Sequence, residues 1–153
     1  MFTTARPFRM AKVCCALTIT VYSLFMQGAA HAADLTIIVN NVQQDAGQVM
    51  LGLFNSAEGF PKTISQGTLV QAKERSTTGQ VSLVFKGLAP GQYAATAFHD
   101  LDSNGKLNVN FMGLPTEPYG FSNNARGKFG PPAFTDAAIT LGEQDLTIEV
   151  TLK

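Results

Sequence analysis

The chain has 153 residues, 45% of them hydrophobic and 14% charged. That length fits one ordinary domain, and so low a charged fraction excludes a solvating, disordered chain. Eleven Lys and Arg face eleven Asp and Glu, a net charge of zero that excludes the basic footprint of a nucleic-acid binder.

Residues 1–12 carry Arg6, Arg9 and Lys12 and no acid, and Val13–Met26 is an apolar stretch without a charge. Small residues follow, ending in Ala30-His31-Ala32. A positive head, a short apolar stretch and an A-x-A exit are the parts of a secretory signal peptide. Residues 1–32 are expected to be cleaved near Ala32, leaving one domain over 34–153 in the periplasm or outside the cell. Fourteen apolar residues fall short of the roughly 20 of a membrane span, so no transmembrane segment is expected in the mature chain. Without Arg6, Arg9 and Lys12, 8 basic residues face 11 acids, a net charge of −3. Cys14, Cys15 and His31 leave too, so the mature chain has no thiol and only His99 as histidine. That removes disulfides, thiolate metal sites and two-His zinc sets.

In the body, Asp34–Val42 places Leu35, Ile37 and Val39 at the strand period of two, and Gly47–Asn55 repeats it with Val49, Leu51 and Leu53. The turn residues Asp45-Ala46-Gly47 between them suggest a hairpin. A loop over Ser56–Gly67, with a helical turn near Ala57–Phe60, leads to a second expected pair, Thr68–Arg75 and Gln80–Lys86. Gly91–His99, Ala137–Leu141 and Leu146–Leu152 complete about seven strands in an antiparallel Greek-key β-sandwich. The first and last strands both open on Asp-Leu-Thr-Ile, at Asp34 and at Asp145. Pro90-Gly91 suits the centre of a type II turn, and Tyr93 just beyond it fits a tyrosine corner. Pro90, Gly91 and Tyr93 are therefore read as structural.

Asp100–Phe134 has no sustained periodicity, yet it holds Phe111, Tyr119, Phe121, Phe129 and Phe134. Disordered linkers are poor in aromatics, so an ordered long loop near residues 100–134, packing its rings over the sandwich, is expected. It opens with Asp100, Asp102 and Asn104 at alternate positions, then Gly105 and an apolar Leu107. Alternate oxygens and a glycine for the sharp turn are the opening of a calcium loop. The twelfth position is Phe111 rather than a bidentate Glu, so the segment is not an EF-hand. Asn108, Asn110 and Glu117 are the further oxygen donors within reach along the chain. The other reading is a plain turn: Asn104-Gly105 is a hairpin signal, and the short polar side chains would bond local backbone.

The string PGQYAATAFHDLDSNGKLNVNFMGLPTEPYGFSNNARGKFGPPAF resembles the signature of the bacterial domain-of-unknown-function 2141 family, and the likeness extends over about residues 34–152. The resemblance implies a small exported protein with an immunoglobulin-like or transthyretin-like sandwich and no established catalytic activity. Family members often carry Asp where this chain has Asn108, so the loop here offers one carboxylate fewer.

Three functions are compatible with these residues. The first is an exported, non-enzymatic module whose 100–124 loop binds calcium weakly or binds a ligand; His99, Tyr119, Phe121, Asn123 and Asn124 supply rings and amides for the latter. The second is a metal-assisted hydrolase using His99 with Asp100, Asp102 and Glu117. No G-x-S-x-G elbow or other nucleophile motif supports it. The third is an accessory or structural component of an envelope assembly, with an envelope protein as partner. A monomer is expected, with Ca²⁺ as the sole candidate cofactor.

Overall fold

The computed structural model describes residues 32–153; the expected leader, Ala32 apart, lies outside the described residues. Eight strands run in the order β1 (Ala33–Asn40), β2 (Gln48–Phe54), β3 (Gln66–Gln71), β4 (Val81–Leu88), β5 (Gly91–Asp100), β6 (Tyr119–Phe121), β7 (Ile139–Leu141) and β8 (Leu146–Thr151). One sheet has the order β4-β1-β8; the other has the order β3-β2-β5-β6, with β7 pairing the start of β5. No helix among the described residues is long and apolar enough to cross a membrane.

The period of two dictates which faces meet. In β1, Ala33, Leu35, Ile37 and Val39 are buried and the residues between them are half-exposed. In β4, Val81, Leu83 and Phe85 alternate with exposed neighbours. These rows share one core with Val49, Leu51 and Leu53 of β2 and Ala95 and Ala97 of β5. Two sheets with their apolar faces together are the expected β-sandwich.

The strand partners differ from the expected hairpins. β1 pairs β4 and β8, whereas β2 pairs β3 and β5, so neither β1–β2 nor β3–β4 forms a ladder. Alternation specifies an inward face, and two successive strands can present that face from opposite sheets. The chain crosses between sheets after β1, where Asn41 has φ 68° and the Val42 N–H bonds to the Gly79 carbonyl at 2.9 Å.

One pair is parallel. β8 lies beside β1 with Leu35 opposite Leu146, Thr36 opposite Thr147 and Ile37 opposite Ile148. The matching Asp-Leu-Thr-Ile openings are thus in register. The Asp34 N–H donates to the Asp145 carboxylate at 2.8 Å, and the Asp34 carboxylate accepts from the Gly87 N–H at 2.9 Å.

The tyrosine corner forms: the Tyr93 hydroxyl donates to the Ala89 carbonyl at 2.8 Å. The corner is not a type II turn, because the positive φ falls on Gly87 and not on Gly91, which already begins β5. Within residues 100–134, β6 and a short 3₁₀ turn, Ser122–Asn124, give way to a helical turn at Phe134–Ala137. Tyr119, Phe121 and Phe134 pack with Phe60 in a small second core. Phe60 meets Phe54 edge-on at 5.0 Å and Phe134 at 5.7 Å between ring centroids. The other two rings do not pack: Phe111 is 98% exposed and Phe129 fully so.

Tyr93→Phe removes the corner hydrogen bond and is expected to cost about 1 kcal/mol in denaturant unfolding. Phe111→Ser, with no packing to lose, should change the same stability by no more than about 0.5 kcal/mol.

Candidate functional site

Strand β5 ends on a buried carboxylate. Asp100 has no exposed surface, because β2 covers it: Gln48 is its cross-strand partner, and the Gln48 amide donates to it at 2.9 Å. The backbone turns sharply just after it, with Ser103 at φ 57° and Gly105 at φ 78°. This turn aims the N–H groups of Asn104 and Gly105 back at Asp100, at 3.0 and 2.8 Å. Gly47 sits behind the turn; a Cβ there would lie 2.1 Å from the Asp100 carbonyl oxygen, so only glycine fits.

Asp102 and Glu117 join Asp100. One oxygen from each of these three carboxylates lies within 4.8 Å of the others. Asp102 is exposed, and accepts from the Asn104 N–H at 3.1 Å and from the Asn104 and Asn108 amides at 2.9 Å each. Glu117, 6% exposed, accepts from the N–H groups of Leu101 and Asn108 at 2.8 and 2.9 Å. Glu117 therefore folds back from sixteen residues beyond Leu101 to close the turn.

Burial alone would push the Asp100 carboxyl upward. The hydrogen bonds from Gln48, Gly105 and Asn104 outweigh it and hold the pKa below the ordinary aspartate value. Asp100 is thus kept charged by N–H donors, not by a partner cation. Asp100, Asp102 and Glu117 accept three, three and two hydrogen bonds, against about four lone-pair positions on each. Oxygen capacity remains at all three.

The other expected ligands serve different ends. The Asn104 side-chain oxygen accepts from the Lys106 N–H at 2.8 Å, and that of Asn108 accepts from the Asn104 amide at 2.9 Å. Asn110 stands apart in the loop tip, its oxygen accepting from the N–H groups of Met112 and Leu114 at 2.9 and 3.0 Å. His99 is buried next to Asp100 in sequence, but its Nε2 faces the Ala46 carbonyl at 2.7 Å and it is not one of the converging groups. Adjacent strand residues point to opposite faces, which separates the two. Among the expected ligand-binding residues, Asn123 donates to the Ala138 carbonyl at 2.8 Å and Asn124 accepts from the Thr151 N–H at 2.9 Å. Tyr119 and Phe121 stack edge-on at 6.0 Å. Gln48, Gly47 and Ala46 were not legible as site residues. Their role depends on the β2–β5 register, and no local motif carries it.

A family model described as an uncharacterized protein conserved in bacteria, DUF2141, matches residues 37–149. No protein with a curated description matches the sequence. Among solved structures, a fimbrial assembly protein from Parabacteroides distasonis is similar at 10% identity and a TM-score of 0.44, over 79% of this chain and 52% of that one. The chain thus spans about half the length of that protein.

Asp100→Asn puts an amide where Gln48 and Gly105 donate, and should cost about 2–3 kcal/mol in urea unfolding. The folded carboxyl binds its proton more weakly than the unfolded one. Its contribution to stability is therefore complete above the ordinary Asp pKa of about 3.9 and is lost as pH falls through the lower folded value. Unfolding free energies measured from pH 6 downward should show this fall in the parent protein, and a shallower one in Asp100→Asn.

Proposed function

For a chain that belongs to the DUF2141 family of bacterial proteins, we propose the role of an exported, non-catalytic β-sandwich module whose turn after β5 binds calcium weakly and is stiffened by it. The observation that carries this reading is the convergence of the Asp100, Asp102 and Glu117 carboxylates within 4.8 Å. Calcium–oxygen bonds run about 2.3–2.6 Å, so ligands on opposite sides of one ion stand about 5 Å apart. The three oxygens fit round one such ion. Their donor chemistry, hard oxygens without sulfur or imidazole, suits calcium rather than a transition metal. Two acids of the turn and one returning from the loop correspond to a dissociation constant of about 10⁻⁴–10⁻³ M, which matches the calcium level outside the cytoplasm. The leader pattern of residues 1–32 is consistent with that location. Cleavage after Ala32 would also leave β1, which starts at Ala33, intact.

The hydrolase reading has less support. His99 is turned to the Ala46 carbonyl, and the carboxylates it would need converge without it.

Isothermal titration of the mature protein with calcium should give a single weak site. At about 100 times the dissociation constant, calcium should add about 2.7 kcal/mol of stability. Asp102→Asn and Glu117→Gln should each abolish the heat and the melting shift. A parent protein with neither heat nor shift at about 10 mM calcium, some tenfold above the weakest constant expected, would refute the proposal. Mass analysis of the exported protein should give an N-terminus at Ala33 or Asp34; retention of residues 1–32 would refute cleavage.

A further inference from the structure

We infer that the outer face of the five-stranded sheet holds a binding site for a small monoanionic amphiphile, an apolar body ending in a carboxylate or sulfonate. The site borders the carboxylate cluster through the turn after β5 but does not rest on the calcium reading.

The register of three strands lays its floor. Met50, Phe98 and Tyr119 stand side by side in one cross-strand row, and Gly52, Thr96 and Phe121 in the next. These positions alternate with the core residues Leu51 and Ala97, so they face away from the sandwich interior. The glycine in the second row lets Ile64 come down on the sheet, where it forms one side of a trough: a Cβ on Gly52 would lie 2.6 Å from the Ile64 Cγ2.

Two loops raise walls on this floor. Pro61, Lys62 and Ile64 come from the β2–β3 connection, and Gly105, Lys106 and Leu107 from the turn after β5. The half-open space between them is about 310 Å³. That lies at the lower end of the range of small-ligand sites, which are mostly apolar with a few convergent polar groups.

Charge selects the occupant. Lys62 and Lys106 both line the hollow, one on each wall, and no acid lines it. Neither lysine forms an ion pair among the described residues, where the single salt bridge is Arg75–Asp45. This is the reverse of the mature chain as a whole, which is net acidic. An apolar floor with two unpaired cations above it suits a ligand that buries a hydrocarbon or aryl body and leaves one anionic end at the rim. The Thr96 hydroxyl and the Tyr119 phenol add two polar points on the floor.

Decanoate and its neutral counterpart decanol are the probes. In nuclear magnetic resonance titrations of the mature protein, decanoate should shift the amide signals of Met50, Thr96, Phe98 and Gly120 saturably. Decanol should bind about tenfold more weakly. Lys62→Glu with Lys106→Glu should weaken decanoate about tenfold and leave decanol unchanged. Thr96→Trp fills the trough from the solvent side and should abolish binding of both, with an unchanged circular dichroism spectrum showing that it folds. Asp102→Asn should leave decanoate binding intact, so loss of the cation site and loss of this one are separable. The inference is overturned if no saturable shift appears, if decanol binds as tightly as decanoate, or if the charge reversals change nothing.

Discussion

A buried carboxylate at the end of β5 is the constraint on which this end of the molecule depends. Asp100 is sealed from water, and a sealed charge is tolerable only when it is well hydrogen-bonded. Three donors meet that need, one from β2 and two from the turn that follows. The demand therefore fixes the register of β2 on β5, the backbone of residues 101–105 and the glycine at position 47. Removing any one donor would expose the others to an unsatisfied charge, and so the turn behaves as a unit.

The same demand gathers the other acids. The turn brings Asp102 to the rim, and Glu117 returns to cap the N–H groups of Leu101 and Asn108. Amide donors surround three carboxylates close together, and among the described residues no cation side chain pairs with them. The arrangement is a hydrogen-bonded knot in which one oxygen of each acid still lies within 4.8 Å of the others. Structural and cation-binding roles are compatible here, because an ion would replace amide donors on Asp102 while Asp100 kept its backbone donors.

The β6 segment shows how the long insertion is tied to the sandwich. Its N–H and carbonyl at Tyr119 exchange hydrogen bonds with Lys153 at 3.2 and 3.1 Å, while its other side pairs with β5. Gly120 passes so close to β8 that a Cβ would lie 2.7 Å from the Thr151 carbonyl oxygen. The insertion thereby seals the edge between the sheets and positions the rings of Tyr119 and Phe121 on the outer face. Its tip, with Val109, Phe111, Met112 and Leu114 exposed, has no such ties to the core.

Local periodicity and turn chemistry were enough to read every strand but β6, which lies in the segment read as loop, and also the inward faces of β1, β2 and β4, the tyrosine corner, and the turn around Asn104-Gly105. These features depend on residues within a few positions of one another. The acids at 100 and 102 and the returning Glu117 were legible as oxygen donors, though their convergence was not. Strand partners, the parallel seat of β8 beside β1, the contribution of Gln48, and the separation of His99 from the carboxylates were decided only in three dimensions. The reason is physical: alternation records which face of a strand is apolar, and many pairings satisfy that record equally well. The choice among them is made by contacts between residues far apart in the chain, as when Gln48 meets Asp100.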